Sequence, residues 1–175
     1  MDKKLQLLYQ STILEHGQDP RNFGKPDRYD EFAEGFNPLC GDKVNIYCKY
    51  NFNLELEITF ESVSCVICTA SASLMTTELE GISKGKAIKL IDAVLDGLHC
   101  STLNQKPLSK QLTMLDGVKE FPSRIQCAAL PWATTRKAMM ESETRLSNQC
   151  WIEMKKLFFK EIVKLFLFLM VRKKY

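Results

Sequence analysis

Near the start of the chain Leu5, Leu8, Tyr9 and Ile13 recur at spacings of three and four, with Thr12 beside them, so they form one stripe along a helix. The stripe gives way to Asp19-Pro20-Arg21-Asn22-Phe23-Gly24, a run of turn formers that leads the chain away. The period then changes to two. Val44, Ile46, Cys48 and Tyr50 alternate with polar residues, as do Leu54, Leu56, Ile58 and Phe60, with Asn51 to Asn53 as the turn between them. This predicts an antiparallel hairpin with one buried face. From Thr69 the spacing is helical again, first through Leu74 and Leu79, then, after a break over Gly81–Gly85, through Ala87, Leu90, Ile91, Val94 and Leu95. Residues 97–121 are polar and turn-rich apart from a short helical stretch around Leu108–Leu115. Strands early and helices late predict an α+β fold: an N-terminal helix, a small antiparallel sheet, then several helices packed on it.

Length and composition narrow the class without changing that picture. A chain of 175 residues suits one domain with a real core, because roughly two-thirds of the unfolded surface is buried at such sizes. Charged residues make up 26%, and a net charge of +3 is too weak to predict a nucleic-acid surface. That charge is unevenly placed. Residues 151–175 hold seven Lys/Arg against two Asp/Glu, which leaves −2 on residues 1–150. The same tail contains Leu165–Val171, LFLFLMV, between Lys155, Lys156, Lys160 and Lys164 on one side and Arg172, Lys173 and Lys174 on the other. Seven apolar residues fall far short of the about 20 needed to cross a bilayer. The expectation is a helix that packs on protein, with contact at a membrane surface as the alternative.

The candidate chemistry lies in the cysteines. There are seven, an odd number, and the N-terminal stripe is no secretion signal, so the expected location is a reducing cytoplasm. Thiols there more often serve metal or sulfur chemistry than disulfides. Three are widely spaced: Cys40, with Asp42, in NPLCGD (37–42); Cys65 in SCVICTASAS (64–73); and Cys127 in FPSRIQCAALPW (121–132). Three thiolates and one carboxylate complete a four-coordinate soft-metal site, a ligand set that zinc favours and that overlaps the needs of a labile iron–sulfur cluster. Gly41 lets the backbone fold tightly between Cys40 and Asp42. Cys65 precedes a helix whose positive end favours a thiolate, and whose early residues Ala70, Ser71, Ala72 and Ser73 are small. Ser123 and Gln126 have capping-box spacing, which predicts Cys127 in a first helical turn. Arg124 adds a cation that can steady thiolate or persulfide charge.

Bland readings compete with each of these. A lone cysteine is usually a small buried apolar residue, and an aspartate often caps a turn. Cys48 falls on the apolar face of its strand and reads as core. Cys65-x-x-Cys68 has redox or zinc-knuckle spacing but no second pair to match it. Cys100 and Cys150 lie in the polar stretch and the tail, and His16, at the end of the first helix, and His99, in a loop after Gly97, lack ligand-like partners.

Taken together, NPLCGD, ASAS and R-x-x-C-A-x-L-P-W resemble the U-type proteins of iron–sulfur cluster assembly, the family of IscU, NifU and SufU, and within it the SufU branch. The resemblance runs from the N-terminal helix to Met140, leaving residues 1–143 as the domain and 144–175 as an extra tail. Gln126 stands where IscU-type proteins carry a histidine, and their proline-valine-lysine motif, read by a chaperone, is missing. Glu61-Ser62-Val63-Ser64 replaces the glycines that usually precede the second cysteine.

The resemblance implies zinc held by Cys40, Asp42, Cys65 and Cys127, with Cys40 accepting persulfide sulfur from a SufS-like cysteine desulfurase and handing it to downstream assembly or acceptor proteins. That makes the chain a sulfurtransferase-like acceptor. Two alternatives stand beside it: a non-enzymatic scaffold that builds a transient [2Fe–2S] cluster on Cys40, Cys65 and Cys127, and a docking protein whose zinc is structural.

Overall fold

A computed structural model describes residues 3–99, 109 and 111–141, with side chains from residue 11 onward. The chain divides into two compact units, Met1–Met139 and Met140–Tyr175. Cys100, Cys150 and the basic, apolar tail lie outside the described residues. Among the described residues, no helix is long and apolar enough to cross a membrane.

The described elements are α1 (Lys3–Gln18), β1 (Glu31–Asn37), β2 (Asp42–Tyr50), β3 (Leu56–Val63), α2 (Val66–Leu79), α3 (Lys84–His99), a 3-10 helix (Leu112–Glu120), and α4 over residues 122–141. The three strands form one antiparallel sheet in the order β1-β2-β3. Its inner face, with Val44, Ile46, Ile58 and Phe60, joins Leu74, Met75, Ile91, Leu115 and Trp132 of the helical layer in a single core. The α+β expectation is met.

The sequence pattern missed β1, for a physical reason. Its buried positions are Glu31, Ala33, Gly35 and Asn37, while Phe32 and Phe36 point out. The core side of this strand is small or polar because α4 lies close: a Cβ on Gly35 would come within 2.0 Å of Thr134 Oγ1. Glu31 is buried with an ion pair from Lys84 Nζ at 2.9 Å and a hydrogen bond from the Tyr50 hydroxyl at 2.8 Å. Outside, the Phe32 ring packs against Tyr29 and Tyr47.

Other boundaries also shift. Leu54 is no strand residue; it sits in the turn at φ 60° and is 71% exposed. Helix α2 begins three residues before Thr69, and His99 ends α3 rather than lying in a loop. Asn22 and Gly24 follow α1 and hydrogen-bond to the β3 edge at Phe60, so the turn formers after the first helix cover a strand edge that would otherwise stay open.

Helix α2 is central, with nine of its fourteen residues buried. Buried polar atoms fix its neighbours. The Ser71 hydroxyl donates to the Ala128 carbonyl at 2.7 Å and accepts from Trp132 Nε1 at 3.0 Å, tying α4 to α2. Ser73 accepts the Arg21 amide at 2.8 Å and pairs with His16 Nδ1 at 2.8 Å, tying α1 to the same helix. Burial then holds the His16 imidazole below its ordinary value. The serines of ASAS are therefore clamps between helices as well as small residues.

Candidate metal centre

The β1–β2 connection is residues 38–41, and its geometry follows from three residues. Asn37 and Asp42 pair across the two strands. The Gly41 amide returns to the Asn37 carbonyl at 2.8 Å, which needs the left-handed conformation that Gly41 adopts at φ 76°. Asn37 Oδ1 accepts the Leu39 amide at 3.1 Å, a side chain standing in for backbone in a tight turn. Cys40 is thereby held at the tip as an exposed residue.

Three other elements converge on that tip. Cys127, fully buried on α4, brings its Sγ to 3.4 Å from Cys40 Sγ. Asp42, 2% exposed, takes the Cys65 amide on Oδ1 at 2.8 Å and faces Cys65 Sγ with Oδ2 at 3.4 Å. Cys65 is the N-cap of α2, as its position before the helix predicted, and has no side-chain hydrogen bond to the helix end. Among the described residues, Cys40, Asp42 and Cys127 form a group whose ligand atoms all lie within 4.8 Å of one another. Cys65 adjoins that group through Asp42. Three of the four residues singled out in the sequence thus meet in one group, and the fourth, Cys65, adjoins it.

The donor set fits a zinc ion. It offers three sulfurs and one carboxylate from three separate segments of the chain, and zinc–sulfur bonds of about 2.3 Å would set tetrahedral sulfurs about 3.8 Å apart, a few tenths wider than Cys40 and Cys127 stand here. Electrostatics agree. Burial works against the Asp42 carboxylate, but hydrogen bonds from the Cys40, Cys65 and Cys127 thiols and the Cys65 amide outweigh it and hold Asp42 below the usual carboxylate range. Burial pushes the Cys127 thiol well up, and Cys40, Asp42 and Cys65 beside it push the same way. A bound cation would reverse that balance for the Cys127 thiol.

The remaining candidates separate cleanly. Arg124 lies exposed on the first turn of α4, three residues before Cys127, and makes no ion pair among the described residues. The helix starts at Pro122, a residue whose φ suits that position, so Ser123 and Gln126 do not form the expected capping box. Cys127 therefore sits in the second turn. Cys68 is buried, its thiol pushed up to about 12 chiefly by burial, and it supplies no atom to the metal group. Cys48 is core, with its thiol raised by the same cause. His99 lines a cleft of about 340 Å³ together with Asn37 and Gln126, so the fold brings a histidine near Gln126 from a different helix.

Sequence reasoning overlooked Asn37. Its Oδ1 shapes the Cys40 turn while its Nδ2 donates to Cys127 Sγ at 3.8 Å. An asparagine two residues before a turn amide is a local signal for the first bond. Nothing local marks the second, which spans 90 residues.

The molecule is thus an α+β domain that gathers three thiols and a carboxylate, a donor set suited to a metal, at the end of a three-stranded sheet. The NifU-like N terminal domain matches residues 8–128, and the chain belongs to that family. It is 32% identical over 142 residues to the iron-sulfur cluster assembly scaffold protein IscU of Streptococcus pyogenes serotype M1, covering 79% of this chain and 87% of that one. To the zinc-dependent sulfurtransferase SufU of Bacillus subtilis it is 30% identical over 140 residues, 79% of this chain and 94% of that one. A crystal structure of a putative iron-sulfur cluster assembly scaffold protein for the SUF system, from Fervidobacterium islandicum AW-1, superposes with a TM-score of 0.68 at 25% identity over 77% of this chain and 98% of that one. The resemblance carried by the three cysteine motifs is confirmed.

Proposed function

We propose that the protein serves iron–sulfur cluster biogenesis as a zinc-holding sulfur acceptor in the cytoplasm, with Cys40 as the accepting thiol. The observation that carries the reading is the asymmetry of the three cysteines: as residues Cys40 is exposed, Cys65 intermediate and Cys127 buried. Only a reachable thiol can meet a sulfur carried on another protein. Cys40, Asp42, Cys65 and Cys127 are the residues that would hold zinc, which when bound supplies Lewis acidity that favours thiolate over thiol at neutral pH.

The donor is a cysteine desulfurase of SufS type, bearing a persulfide. The Cys40 thiolate attacks the terminal sulfur of that persulfide, a bond forms between it and Cys40 Sγ, and the donor's sulfur–sulfur bond breaks. The donor cysteine leaves as a thiolate, so the exchange needs no outside oxidant. Arg124 supplies a cation one helical turn from Cys127 to steady the persulfide charge. A downstream assembly or acceptor protein then takes the sulfur.

The expected result is that Cys40→Ser folds and retains some zinc but fails to stimulate the desulfurase. Normal stimulation by Cys40→Ser would sink the reading. A second reading rests on the three-sulfur, one-oxygen donor set: Cys40, Cys65 and Cys127 build a transient [2Fe–2S] cluster, with Asp42 as the exchangeable fourth ligand. Elemental analysis of protein purified anaerobically without added metal separates the two. About one zinc per chain with almost no iron supports the acceptor, whereas iron with matching acid-labile sulfide supports the scaffold.

A further inference from the structure

We infer that Asn37 is the positioning residue of this centre, the side chain that couples the Cys40 turn to Cys127 and sets the spacing between their sulfurs; the inference deepens the acceptor reading and rests on it. Four observations meet at this residue. It is 6% exposed. Its backbone carbonyl holds Gly41 at 2.8 Å, and its cross-strand partner is Asp42. Its Oδ1 holds the Leu39 amide at 3.1 Å, next to Cys40. Its Nδ2 reaches Cys127 Sγ at 3.8 Å.

One amide group thus binds Cys127 directly and the residue next to Cys40, the two cysteines whose sulfurs stand 3.4 Å apart. Asparagine suits this because its two ends differ: the carbonyl oxygen accepts, the NH2 donates, and a short rigid side chain fixes the distance between them. Among the described residues this N–H bond is made to Cys127, the buried cysteine, and not to Cys40 at the exposed tip. Partners that orient metal ligands without touching the metal are commonly worth about 10–100-fold in affinity.

The two bonds can be separated. Asn37→Ser keeps a short oxygen for the Leu39 amide but has no donor able to reach Cys127; Asn37→Asp keeps the oxygen and puts an acceptor where the NH2 was. Both are compared with the unaltered full chain by far-ultraviolet circular dichroism, by zinc competition against a chromophoric chelator, and, without metal, by the equilibrium with oxidised glutathione that forms a Cys40–Cys127 disulfide and two reduced glutathiones. The expected result is native dichroism, a zinc affinity lower by about 10–100-fold, and a several-fold loss of disulfide formation in both variants. Equal zinc affinity and equal disulfide formation in all three proteins overturns the inference. Failure of the unaltered chain to bind zinc, with disulfide formation still lower in the variants, overturns the zinc-holding acceptor reading and leaves Asn37 as the positioning residue.

Discussion

The sheet has two hairpin turns, and both are built on an asparagine. At residues 38–41, Asn37 takes the Leu39 amide; at the other end, Asn51 takes the amides of Asn53 at 2.9 Å and Glu55 at 3.0 Å. Each turn also contains one residue at positive φ, Gly41 at 76° and Leu54 at 60°. They differ in where the asparagine NH2 goes. Asn51 Nδ2 closes back on Glu55 at 2.9 Å within its own turn, while Asn37 Nδ2 leaves its turn for a thiol on a distant helix. The same local device serves once to finish a hairpin and once to build a site. What distinguishes them is what packs above: the second turn carries the exposed Phe52 and Leu54, whereas α2 and α4 converge beside the first.

The sharpest way to break this comparison is to remove an anchor from each turn. Asp42→Ala deletes the proposed carboxylate ligand and strands the Cys65 amide, so zinc affinity should fall by more than the about 100-fold that outer partners reach, and stability by about 1–3 kcal/mol. Asn51→Ala deletes three hydrogen bonds at the exposed turn and should cost about 1–2 kcal/mol in urea unfolding, with zinc content unchanged. If both variants lost zinc alike, the two turns would not be functionally separate.

Acid sharpens the contrast further. Because Asp42 titrates below its ordinary 3.8 in the folded, metal-free protein, the unfolded chain binds more protons in that window. Stability from Asp42 is therefore complete above the ordinary value and is lost as pH falls through the folded one. Metal-free wild type and Asp42→Asn should show parallel stability curves above about pH 5 and diverge below about pH 4, the wild type falling faster. Parallel curves throughout would mean that the carboxylate gains nothing from its thiol and amide partners.

The smallest effect is expected at Leu54. Left-handed backbone costs a non-glycine residue about 1–2 kcal/mol, while glycine gives back about 0.4–1 kcal/mol through a freer unfolded chain. With its side chain mostly exposed, Leu54→Gly should stabilise the domain by about 0.5 kcal/mol, read as a small rise in thermal midpoint. The same logic forbids alanine at Gly41, where the turn that presents Cys40 would be strained.

Legibility in the sequence followed the range of the interactions involved. Strands β2 and β3 and helices α1 to α3 were visible because alternation and helical spacing record which face is buried. Strand β1 was hidden because its buried face holds Glu31, Ala33, Gly35 and Asn37, the reverse of the usual pattern, in answer to α4 and to Lys84 lying far along the chain. The four candidate ligands were legible from their motifs. Asn37 sat inside the first motif, yet its bond to Cys127 crosses 90 residues and leaves no local trace.

By itself the sequence determined the α+β class, the family, and the four candidate donors, since residue type and short-range periodicity encode chemistry and burial directly. Only the tertiary structure decided that Cys40 is the exposed cysteine and Cys127 the buried one, that Asp42 faces Cys65, and that Asn37 bonds to both Cys127 and the turn that carries Cys40. Those facts depend on how α2 and α4 are clamped through Ser71 and Trp132 onto a sheet whose first strand made room for them. Packing between elements remote in the chain sets distances, and distances decide which thiol is free to react.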